Sequence, residues 1–229
     1  MTSLRMIEYE PANGPSLYDL WERGSAAPLQ APLSVANDEY RRFICELFAS
    51  RKGQRHSLIS IGAGNGFVER ELADAGWNVL ATDIAPSALR LCASKGLDTK
   101  MFRLLVDRPF GNFDAIYIDG VLGHLWTATD QLAPALTALH SLGKPTAIAV
   151  LSNDLADDDK HPNFEVSSSP NLDFYRPTPG SIGRQAKQTG CWNVLSEALF
   201  CYNRYNTMRR RELLILSLVN NRVETKYSQ

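Results

Sequence analysis

The sequence lacks the features that mark several specialised classes of protein. It holds only four cysteines among 229 residues, which are scattered and include no C-x-x-C pair, so they indicate reduced, packed thiols and not a disulfide framework. No apolar run approaches the ~20 residues that cross a bilayer, and the first segment lacks the apolar core of a signal peptide. The net charge of −1 provides no field that would attract nucleic acid or an anionic membrane. We expect a cytoplasmic protein with no nucleic-acid or membrane partner, acting as a monomer or homodimer.

Proline and glycine dominate the beginning of the chain. Prolines at positions 11, 15, 28 and 32 leave room for one short helix near Leu17–Trp21. From Ser34, which offers an N-cap, apolar residues recur at helical spacing as far as Phe48. We expect residues 1–49 to form an N-terminal helical cap on a main domain that spans residues 50–229.

From residue 57 onward, strand-like and helix-like segments alternate. The apolar runs predict strands over residues 57–61, 78–82, 115–118 and 145–151, with a further strand possible over 100–105. Helices are predicted between them over 67–75, from Pro86 to Gly96, and over 128–141. Such alternation is typical of a parallel sheet with helices on both faces, whose strand-to-helix loops share one edge and form the ligand site.

The last part of the chain follows a different pattern. Residues 152–180 are polar and rich in proline and serine, which indicates an insertion that caps the site. After a helix that ends at Gly190, long strand-like runs cover Trp192–Phe200 and Leu213–Val219. Because no helix separates these two runs, we expect them to pair antiparallel.

A glycine-rich turn follows the strand at residues 57–61 and carries the strongest functional signal. Its glycines let the backbone turn sharply and approach a ligand closely, and Asp83 follows the next strand, where its carboxylate can accept both hydroxyls of a ribose. A dinucleotide fold requires the third glycine five residues after the first. Here Phe67 occupies that position and the third glycine is Gly66. The spacing therefore favours a nucleoside site of another kind.

A G-x-G-x-G turn followed by an acid after the second strand resembles the class I S-adenosylmethionine (SAM) methyltransferases, over roughly residues 57–151. The resemblance implies an α/β, Rossmann-like, doubly wound fold. Its seven-stranded sheet would be mostly parallel, with an antiparallel last strand. SAM would be the cofactor and S-adenosylhomocysteine the product.

The resemblance also implies positions for the parts of the cofactor. Gly62 and Gly64 would pass beside the methionine, Asp83 would hold the ribose, and Ile84 would pack on the adenine. The full set of candidate cofactor-binding residues is Gly62, Ala63, Gly64, Gly66, Asp83, Ile84, Asp107, Asp119 and Gly120.

Two positions depart from the family pattern. Ser60 stands where the family often has an acid, so a contact that supports the methionine ammonium is absent or replaced. The acid expected after the third strand, for the adenine amino group, has no obvious counterpart. Asp107 is a candidate, and a turn residue before Arg108 is an equal alternative.

The segment after the strand at 115–118 holds the candidate catalytic residues. In the family this loop lies between the methionine and the acceptor, so Asp119 would bind the cofactor ammonium or orient the substrate, with a helix cap as the alternative. His124 is the candidate general base, because the pKa of histidine lies near neutrality. A histidine that only packs or forms hydrogen bonds is the other possibility.

Aromatic residues in the two irregular segments suit a lid over a planar or apolar substrate. Tyr18 and Trp21 precede the core, Phe174 and Tyr175 follow most of it, and their rings can face a sulfonium. Simple burial of these rings in the lid is the alternative. Arg204 lies in a basic loop predicted over residues 202–211, which also holds Arg211. The loop is expected at the carboxyl end of a strand, where Arg204 either meets an anionic substrate group or is solvated.

We predict a SAM-dependent methyltransferase that modifies a nitrogen, or an oxygen, of a small aromatic or heteroaromatic metabolite. It resembles bacterial natural-product N-methyltransferases, which points to secondary metabolism and to antibiotic or toxin biosynthesis. A catalytically silent SAM-binding module and a metal-assisted O-methyltransferase are the alternatives. We expect no metal, because the histidines lack ligand spacing and Asp119, Asn153 and Asp154 match a magnesium site only loosely.

Overall fold

A seven-stranded sheet forms the centre of the fold. The structure, a computed structural model, describes residues 14–24, 31–49, 56–127, 131–165, 173–204 and 206–219. Residue 50, where the main domain is predicted to begin, lies outside these ranges, as do residues 166–172 of the predicted insertion. The division between residues 49 and 50 therefore stays a prediction.

The described elements alternate between helices and strands over most of the chain. The helices are α1 (Leu17–Glu22), α2 (Leu33–Ala36), α3 (Asp38–Phe48), α4 (Phe67–Asp74), α5 (Pro86–Ser94), α6 (Ala133–His140) and α7 (Ser181–Gln188). The strands are β1 (Ser57–Ile61), β2 (Asn78–Asp83), β3 (Asp98–Met101), β4 (Phe113–Asp119), β5 (Gly143–Asp154), β6 (Asn163–Glu165), β7 (Phe174–Arg176), β8 (Trp192–Arg204) and β9 (Thr207–Leu218). Within the described ranges, no helix combines the length and the apolar character needed to cross a membrane.

The main sheet has the strand order β3-β2-β1-β4-β5-β9-β8. Strands β1 to β5 pair in parallel, whereas β9 pairs antiparallel with both β5 and β8. The strand order reverses between β1 and β4, and the carboxyl ends of these two strands open the crevice where such sheets bind ligands. This topology confirms the expected Rossmann-like fold with an antiparallel last strand.

Successive residues of the central strands pack into two different hydrophobic layers. In β1, Leu58 packs on the face covered by α3 and α4, and Ile59 packs on the face covered by α6 and α7. Helix α3 contributes the fully buried Tyr40, Ile44 and Phe48 to the first layer. Strands buried on both faces are expected to appear as continuous apolar runs, which explains why the sequence located them well.

The helix predicted from Ser34 is divided into α2 and α3. Asn37 has an extended backbone between them (φ −134°), and its side chain accepts a hydrogen bond from the Tyr40 N–H at 2.8 Å. Asn37, and not Ser34, is therefore the N-cap of α3. Apolar residues keep their helical spacing across Asn37, so periodicity alone did not reveal the break.

The third strand is Asp98–Met101, so it begins before the predicted range 100–105 and shares only residues 100 and 101 with it. Phe102 and Leu104 leave the strand and are buried in the core, so the apolar run there reflects core packing of a turn. Helix α6 begins at Ala133, and residues 128–130 of the longer predicted helix lie outside the described ranges.

The basic segment 202–211 was expected to be a loop, and this expectation was wrong. Residues 202–204 belong to β8 and residues 207–211 to β9, and the two strands pair from Tyr202 opposite Arg209 to Arg204 opposite Thr207; residue 205 lies outside the described ranges. The side chains of the segment therefore point alternately to the two faces of a sheet.

Candidate functional site

The glycine turn links β1 to α4 through backbone that glycine adopts most readily. Gly62 (φ +70°), Gly64 (φ +55°) and Gly66 (φ +73°) all have left-handed conformations. A Cβ on Gly62 would overlap the side chain of Val121, and a Cβ on Gly64 would lie 3.5 Å from the Tyr18 ring. The turn therefore brings bare backbone to the carboxyl end of β1, as a closely bound ligand requires.

Contacts within the protein account for two other residues of the turn. Gly66 is the N-cap of α4, and a Cβ there would lie 2.7 Å from the sulfur of Cys92 on α5. Ala63 anchors the turn to β2, because its N–H donates to the Thr82 carbonyl at 2.9 Å. Direct contact of Gly66 and Ala63 with a cofactor stays a prediction.

Asp83 closes the turn at the carboxyl end of β2. Its carboxylate accepts hydrogen bonds from the N–H groups of Gly64 and Ala85, each at 2.9 Å. Burial raises the pKa of Asp83, although these backbone donors oppose the shift. The neighbouring Ile84 leaves 38% of its surface exposed. A carboxylate and an exposed apolar side chain thus lie side by side, as a ribose and its base require.

Asp107 forms its hydrogen bonds within the loop after β3. Its carboxylate binds the Arg103 guanidinium at 2.7 Å and accepts the Arg103 backbone N–H at 2.7 Å. The hydrogen bond from the Arg103 side chain holds the pKa of Asp107 below its usual range. The interpretation as a turn residue accounts for these contacts, and a contact with adenine stays a prediction.

Ser60, where the family pattern has an acid, faces a carboxylate from the next helix. Its hydroxyl donates to Oε1 of Glu69 at 2.5 Å, and both side chains are buried. Burial raises the pKa of Glu69 to about 7; the Ser60 hydrogen bond opposes this shift, and the charges of Asp119 and Asp83 add to it. An acid therefore lies beside β1, although it belongs to α4.

Arg211 joins two acids at the ends of β4 and β5. Its guanidinium binds Asp119 at 2.5 Å through Nη1 and Asp154 at 2.8 Å through Nε. Burial disfavours the charge on Arg211, but the two carboxylates raise its pKa well above the usual range. Gly120 follows Asp119 with φ +66°, and Nη2 of Arg211 lies 3.5 Å from the place of its missing Cβ. We call Asp119, Asp154 and Arg211 the Arg211 cluster.

Tyrosine hydroxyls complete the hydrogen bonds around the Arg211 cluster. Tyr202 donates to Asp154 at 2.8 Å. Tyr40 shares a hydrogen bond of 2.7 Å with Ser152, and its hydroxyl lies 3.5 Å from Nη1 of Arg211. Because Tyr40 belongs to α3, this helix is tied to the floor of the site.

The Arg211 cluster occupies the position of the loosely matched magnesium site. The guanidinium lies between the acids at positions 119 and 154, and Oδ1 of Asn153 accepts the Gly123 N–H at 3.1 Å. Among the described residues, no three His, Cys, Asp or Glu side chains are arranged to hold a metal ion. An arginine therefore balances the charge of these acids.

His124 lies on the short 3-10 turn Leu122–His124 that follows β4. Its Nδ1 lies 3.1 Å from the carbonyl oxygen of Asp173. Because a carbonyl only accepts hydrogen bonds, Nδ1 carries the proton and Nε2 keeps its lone pair. Burial lowers the pKa of His124, against the effect of this hydrogen bond. A neutral imidazole with an accepting nitrogen is the form that a general base requires.

Two of the predicted lid residues, on β7, pack beside this turn. The Phe174 ring meets His124 edge to face, with 4.8 Å between centroids, and it would lie 2.6 Å from a Cβ on Gly123. Tyr175 stacks on Trp126 with 4.7 Å between centroids. The structure therefore brings His124, Phe174 and Tyr175 together beside the loop after β4.

The other aromatic pair lies over the glycine turn. Tyr18 and Trp21 of α1 meet edge to face, with 5.4 Å between centroids. Tyr18 packs on Ala85 and Ala88 of the β2–α5 region, and the Asn65 side chain donates to the Tyr18 carbonyl at 3.0 Å. This pair is closer to the expected nucleoside position than to His124, and contact with a substrate stays a prediction.

Arg204 lies at the end of β8 and approaches the Arg211 cluster. Its Nη1 is 3.9 Å from the Asp154 carboxylate. A small surface cavity of about 160 Å³ lies beside it, lined by Ala31, Leu33, Ala36, Tyr202, Asn203 and Arg204. The position suits an anionic group, and contact with a substrate stays a prediction.

Sequence reasoning missed Glu69, Tyr40 and Arg211. Glu69 and Tyr40 fit ordinary amphipathic helices, and Arg211 was assigned to a solvated loop. Two signals were available. A tyrosine on an apolar stripe requires a partner for its hydroxyl, and Arg211 directly precedes the apolar run of β9, which carries it toward the core.

Two comparisons of sequence place this chain among known proteins. Residues 59–149 match the model of a methyltransferase domain family. A tabtoxin biosynthesis enzyme from Pseudomonas amygdali pv. tabaci is 34% identical over 142 residues, which cover 61% of this chain and 56% of that protein. The match thus spans little more than half the length of that relative.

Solved structures share the fold. A 1,6-didemethyltoxoflavin-N1-methyltransferase from Burkholderia thailandensis, solved with its substrate and S-adenosylhomocysteine, superposes with a TM-score of 0.64 at 13% identity, covering 86% of this chain and 84% of that one. A TehB-like SAM-dependent methyltransferase from Corynebacterium glutamicum gives a TM-score of 0.60 at 17% identity, covering 88% and 96%. Together with the domain match, this confirms the resemblance to the class I SAM-dependent methyltransferases.

Proposed function

We propose that this chain, whose residues 59–149 match a methyltransferase domain family, transfers the methyl group of SAM to a small molecule. The acceptor is a nitrogen, or an oxygen, of an aromatic or heteroaromatic metabolite. The observation that carries the proposal is the pairing of the glycine turn with the buried Asp83, whose carboxylate accepts the Gly64 N–H at 2.9 Å.

The residues at the carboxyl ends of β1 and β2 fit the nucleoside of SAM. Each oxygen of Asp83 has a lone pair beyond its backbone hydrogen bond, so the carboxylate can accept both ribose hydroxyls. The half-exposed Ile84 offers an apolar surface to the adenine. The left-handed backbone of Gly62 and Gly64 forms a tight turn that presents main-chain atoms at the carboxyl end of β1, where the methionine is expected.

Bound SAM supplies a methyl group on a positively charged sulfur, which leaves as the neutral thioether of S-adenosylhomocysteine. The protein must hold the acceptor atom within ~3 Å of that methyl carbon, in line with the bond that breaks. The loop of His124, covered by Phe174, provides a partly dry position beside the end of β4. Nε2 of His124 can take the proton that the acceptor loses, because the imidazole is neutral and Nδ1 is already bound to Asp173.

The aromatic side chains and the related proteins support the class of acceptor. The stacked Trp126–Tyr175 pair and Phe174 present flat apolar surfaces near His124, as a planar substrate requires. One relative acts in tabtoxin biosynthesis and one structural neighbour methylates a nitrogen of a toxoflavin precursor. We therefore place this chain in antibiotic or toxin biosynthesis, and favour nitrogen as the acceptor.

Calorimetry with SAM and with S-adenosylhomocysteine tests the cofactor, and we expect both to bind. Incubation with methyl-labelled SAM and a set of aromatic amines, ring-nitrogen heterocycles and phenols then tests transfer, with mass spectrometry of the products. Binding without transfer to any member of the set would favour a catalytically silent module. Absence of SAM binding would overturn the proposal.

A further inference from the structure

Glu69 is a buried carboxylate that takes part in none of the ion pairs formed by the described residues. Only 3% of its surface is exposed, and its carboxylate accepts hydrogen bonds from the Ser60 hydroxyl, at 2.5 Å, and from the backbone N–H of Glu69 itself. Burial disfavours the charged form of a carboxylate unless a cation or several donors compensate. These two donors leave part of the cost uncompensated, because burial still raises the pKa of Glu69 to about 7. The position is therefore suited to a cation that binds from outside the chain.

The groups around Glu69 increase its need for a cation. Its electrostatic neighbours on α3, α5, β2 and β4 are all acids or neutral groups that ionise to anions: Cys45, Cys92, Asp83, Tyr117 and Asp119. The cationic side chains of the flanking elements bind other carboxylates: Arg41 pairs with Glu71, Lys95 with Glu22, and Arg211 with Asp119. The negative charge of Glu69 thus has no compensating partner among these neighbours.

The place of Glu69 in the fold connects it to the glycine turn. Ser60 belongs to β1 directly before the turn, and Glu69 belongs to the first turn of α4 directly after it. The hydrogen bond between them therefore closes the base of the loop that begins at Gly62. A charge at Glu69 lies under the backbone where the methionine part of SAM is expected.

We propose that Glu69 is a positioning residue of the cofactor site. Its carboxylate, which belongs to α4, replaces the acid that the family pattern has on β1 at position 60, and it supports the ammonium group of SAM. This inference rests on the proposed function, because it assigns a role within the same site. Ser60 and Glu69 together contain as many side-chain heavy atoms as an Asp at position 60 with a Thr at position 69. Each pair supplies one hydroxyl and one carboxylate, so the carboxylate can come from either position without a change in the volume that is filled.

The first experiment compares variants by calorimetry. Glu69→Gln removes the charge but keeps the size and an acceptor for Ser60, and we expect SAM and S-adenosylhomocysteine to bind about tenfold more weakly or worse. The exchanged variant Ser60→Asp/Glu69→Thr is expected to recover most of the affinity. Glu71→Gln, on the same helix but in a half-exposed pair with Arg41, is the control and is expected to bind SAM normally.

Methylthioadenosine distinguishes a charge effect from loss of structure, because it has the nucleoside and sulfur of SAM but no ammonium group. We expect Glu69→Gln to bind methylthioadenosine as the wild type does. Equal weakening for both ligands would assign Glu69 a purely structural role and overturn the inference, as would unchanged SAM binding in Glu69→Gln. A wild-type protein that binds no SAM would instead overturn the proposed function.

Proton release provides a second readout. With the pKa of Glu69 near 7 in the free protein, an arriving ammonium should displace its proton, so the SAM affinity of the wild type relative to Glu69→Gln should rise between about pH 6 and pH 7. Calorimetry in buffers of different ionisation enthalpy measures the protons released. At about pH 6.5 the ammonium of free SAM, an α-amino group with a pKa of about 7.7–8.0, is already protonated and therefore exchanges almost no proton on binding to either protein. We expect the wild type to release more protons than Glu69→Gln, and equal release would contradict the proposed ionisation.

Discussion

Removal of the guanidinium at position 211 should destabilise the protein strongly. Asp119 and Asp154 have side-chain exposures of only 9% and 6%, and Arg211 contacts both. In Arg211→Met the two carboxylates would stay buried without their cation. Breaking a buried ion pair by removing one partner costs about 3–5 kcal/mol. For a chain of this size we therefore expect the melting temperature to fall by roughly 6–20 °C.

The loss of stability should depend on pH. In the wild type, burial alone would raise the pKa of Asp154, but the charge and hydrogen bond of Arg211 and the Tyr202 hydrogen bond lower it overall. Asp154 therefore contributes stability above its unfolded pKa of ~3.9, which is lost as the pH falls through its folded value. Without Arg211, burial would raise the folded pKa above the unfolded one, so the variant would lose stability as the pH rises. The stability difference between the proteins should widen from about pH 4 to pH 7.

Urea unfolding followed by circular dichroism, at about pH 5 and pH 7, measures this difference. Arg209→Met is the matched control, because Arg209 pairs with the exposed Asp157 at 2.7 Å and a surface pair contributes about 0–1 kcal/mol. Neutralising the acids as well, in Arg211→Met/Asp119→Asn/Asp154→Asn, should recover most of the stability. If Arg211→Met unfolds like Arg209→Met at both pH values, the guanidinium does not balance buried charge and the reasoning is refuted.

Three further predictions concern the site itself. Asp83→Asn should weaken SAM binding about 100-fold, because two hydrogen bonds from the ribose to a charged group are lost or weakened. Calorimetry measures this affinity, and an unchanged value would show that Asp83 does not bind the ribose. His124→Gln should lower kcat about 100-fold and leave the SAM affinity unchanged. The rate of the wild type should fall only below about pH 6.5, because burial lowers the pKa of His124. If the substitution leaves the rate unchanged, His124 is a packing residue. Gly123→Ala should reduce turnover but not SAM affinity, because its methyl group would lie 2.6 Å from the Phe174 ring. Gly123→Ala/Phe174→Leu removes this clash together with a ring proposed to face the substrate, so it should recover part of the turnover, and no recovery would indicate damage outside the lid.

The fold could be predicted because its signals are local. The strands β1, β2, β4 and β5 are short apolar runs that end at glycines or acids, and each helix between them begins or ends at a recognisable residue such as Pro86 or Gly96. The errors arose where tertiary packing changed the meaning of a local pattern. Phe102 and Leu104 resemble a strand because the core buries them, and Asn37 interrupts a helix whose apolar spacing continues.

The cofactor half of the site could be predicted for the same reason, and the rest could not. The glycine turn and Asp83 lie within one strand-turn-helix-strand unit. The hydrogen bonds of the Arg211 cluster join residues that are distant in sequence: 92 positions separate Asp119 from Arg211, and 112 separate Tyr40 from Ser152. Local reasoning assigned each of them the ordinary environment of its own segment. Their partners are determined by strand order and register, and in particular by the insertion of β9 next to β5.

The charges of the site are distributed unevenly, and this distribution indicates where each reactant lies. Near the glycine turn, Asp83 accepts backbone N–H groups and Glu69 accepts a hydroxyl, so both carboxylates remain available to a cationic ligand. Beside β4 and β5, Arg211 already binds both acids of its cluster. A cationic cofactor is therefore favoured at β1 and β2, whereas Arg211 compensates one of the two acids of its cluster and Arg204, 3.9 Å from Asp154, reduces the remaining negative charge. A neutral nitrogen keeps the lone pair that methyl transfer requires, so the separation of charge favours both binding of SAM and nucleophilicity of the acceptor.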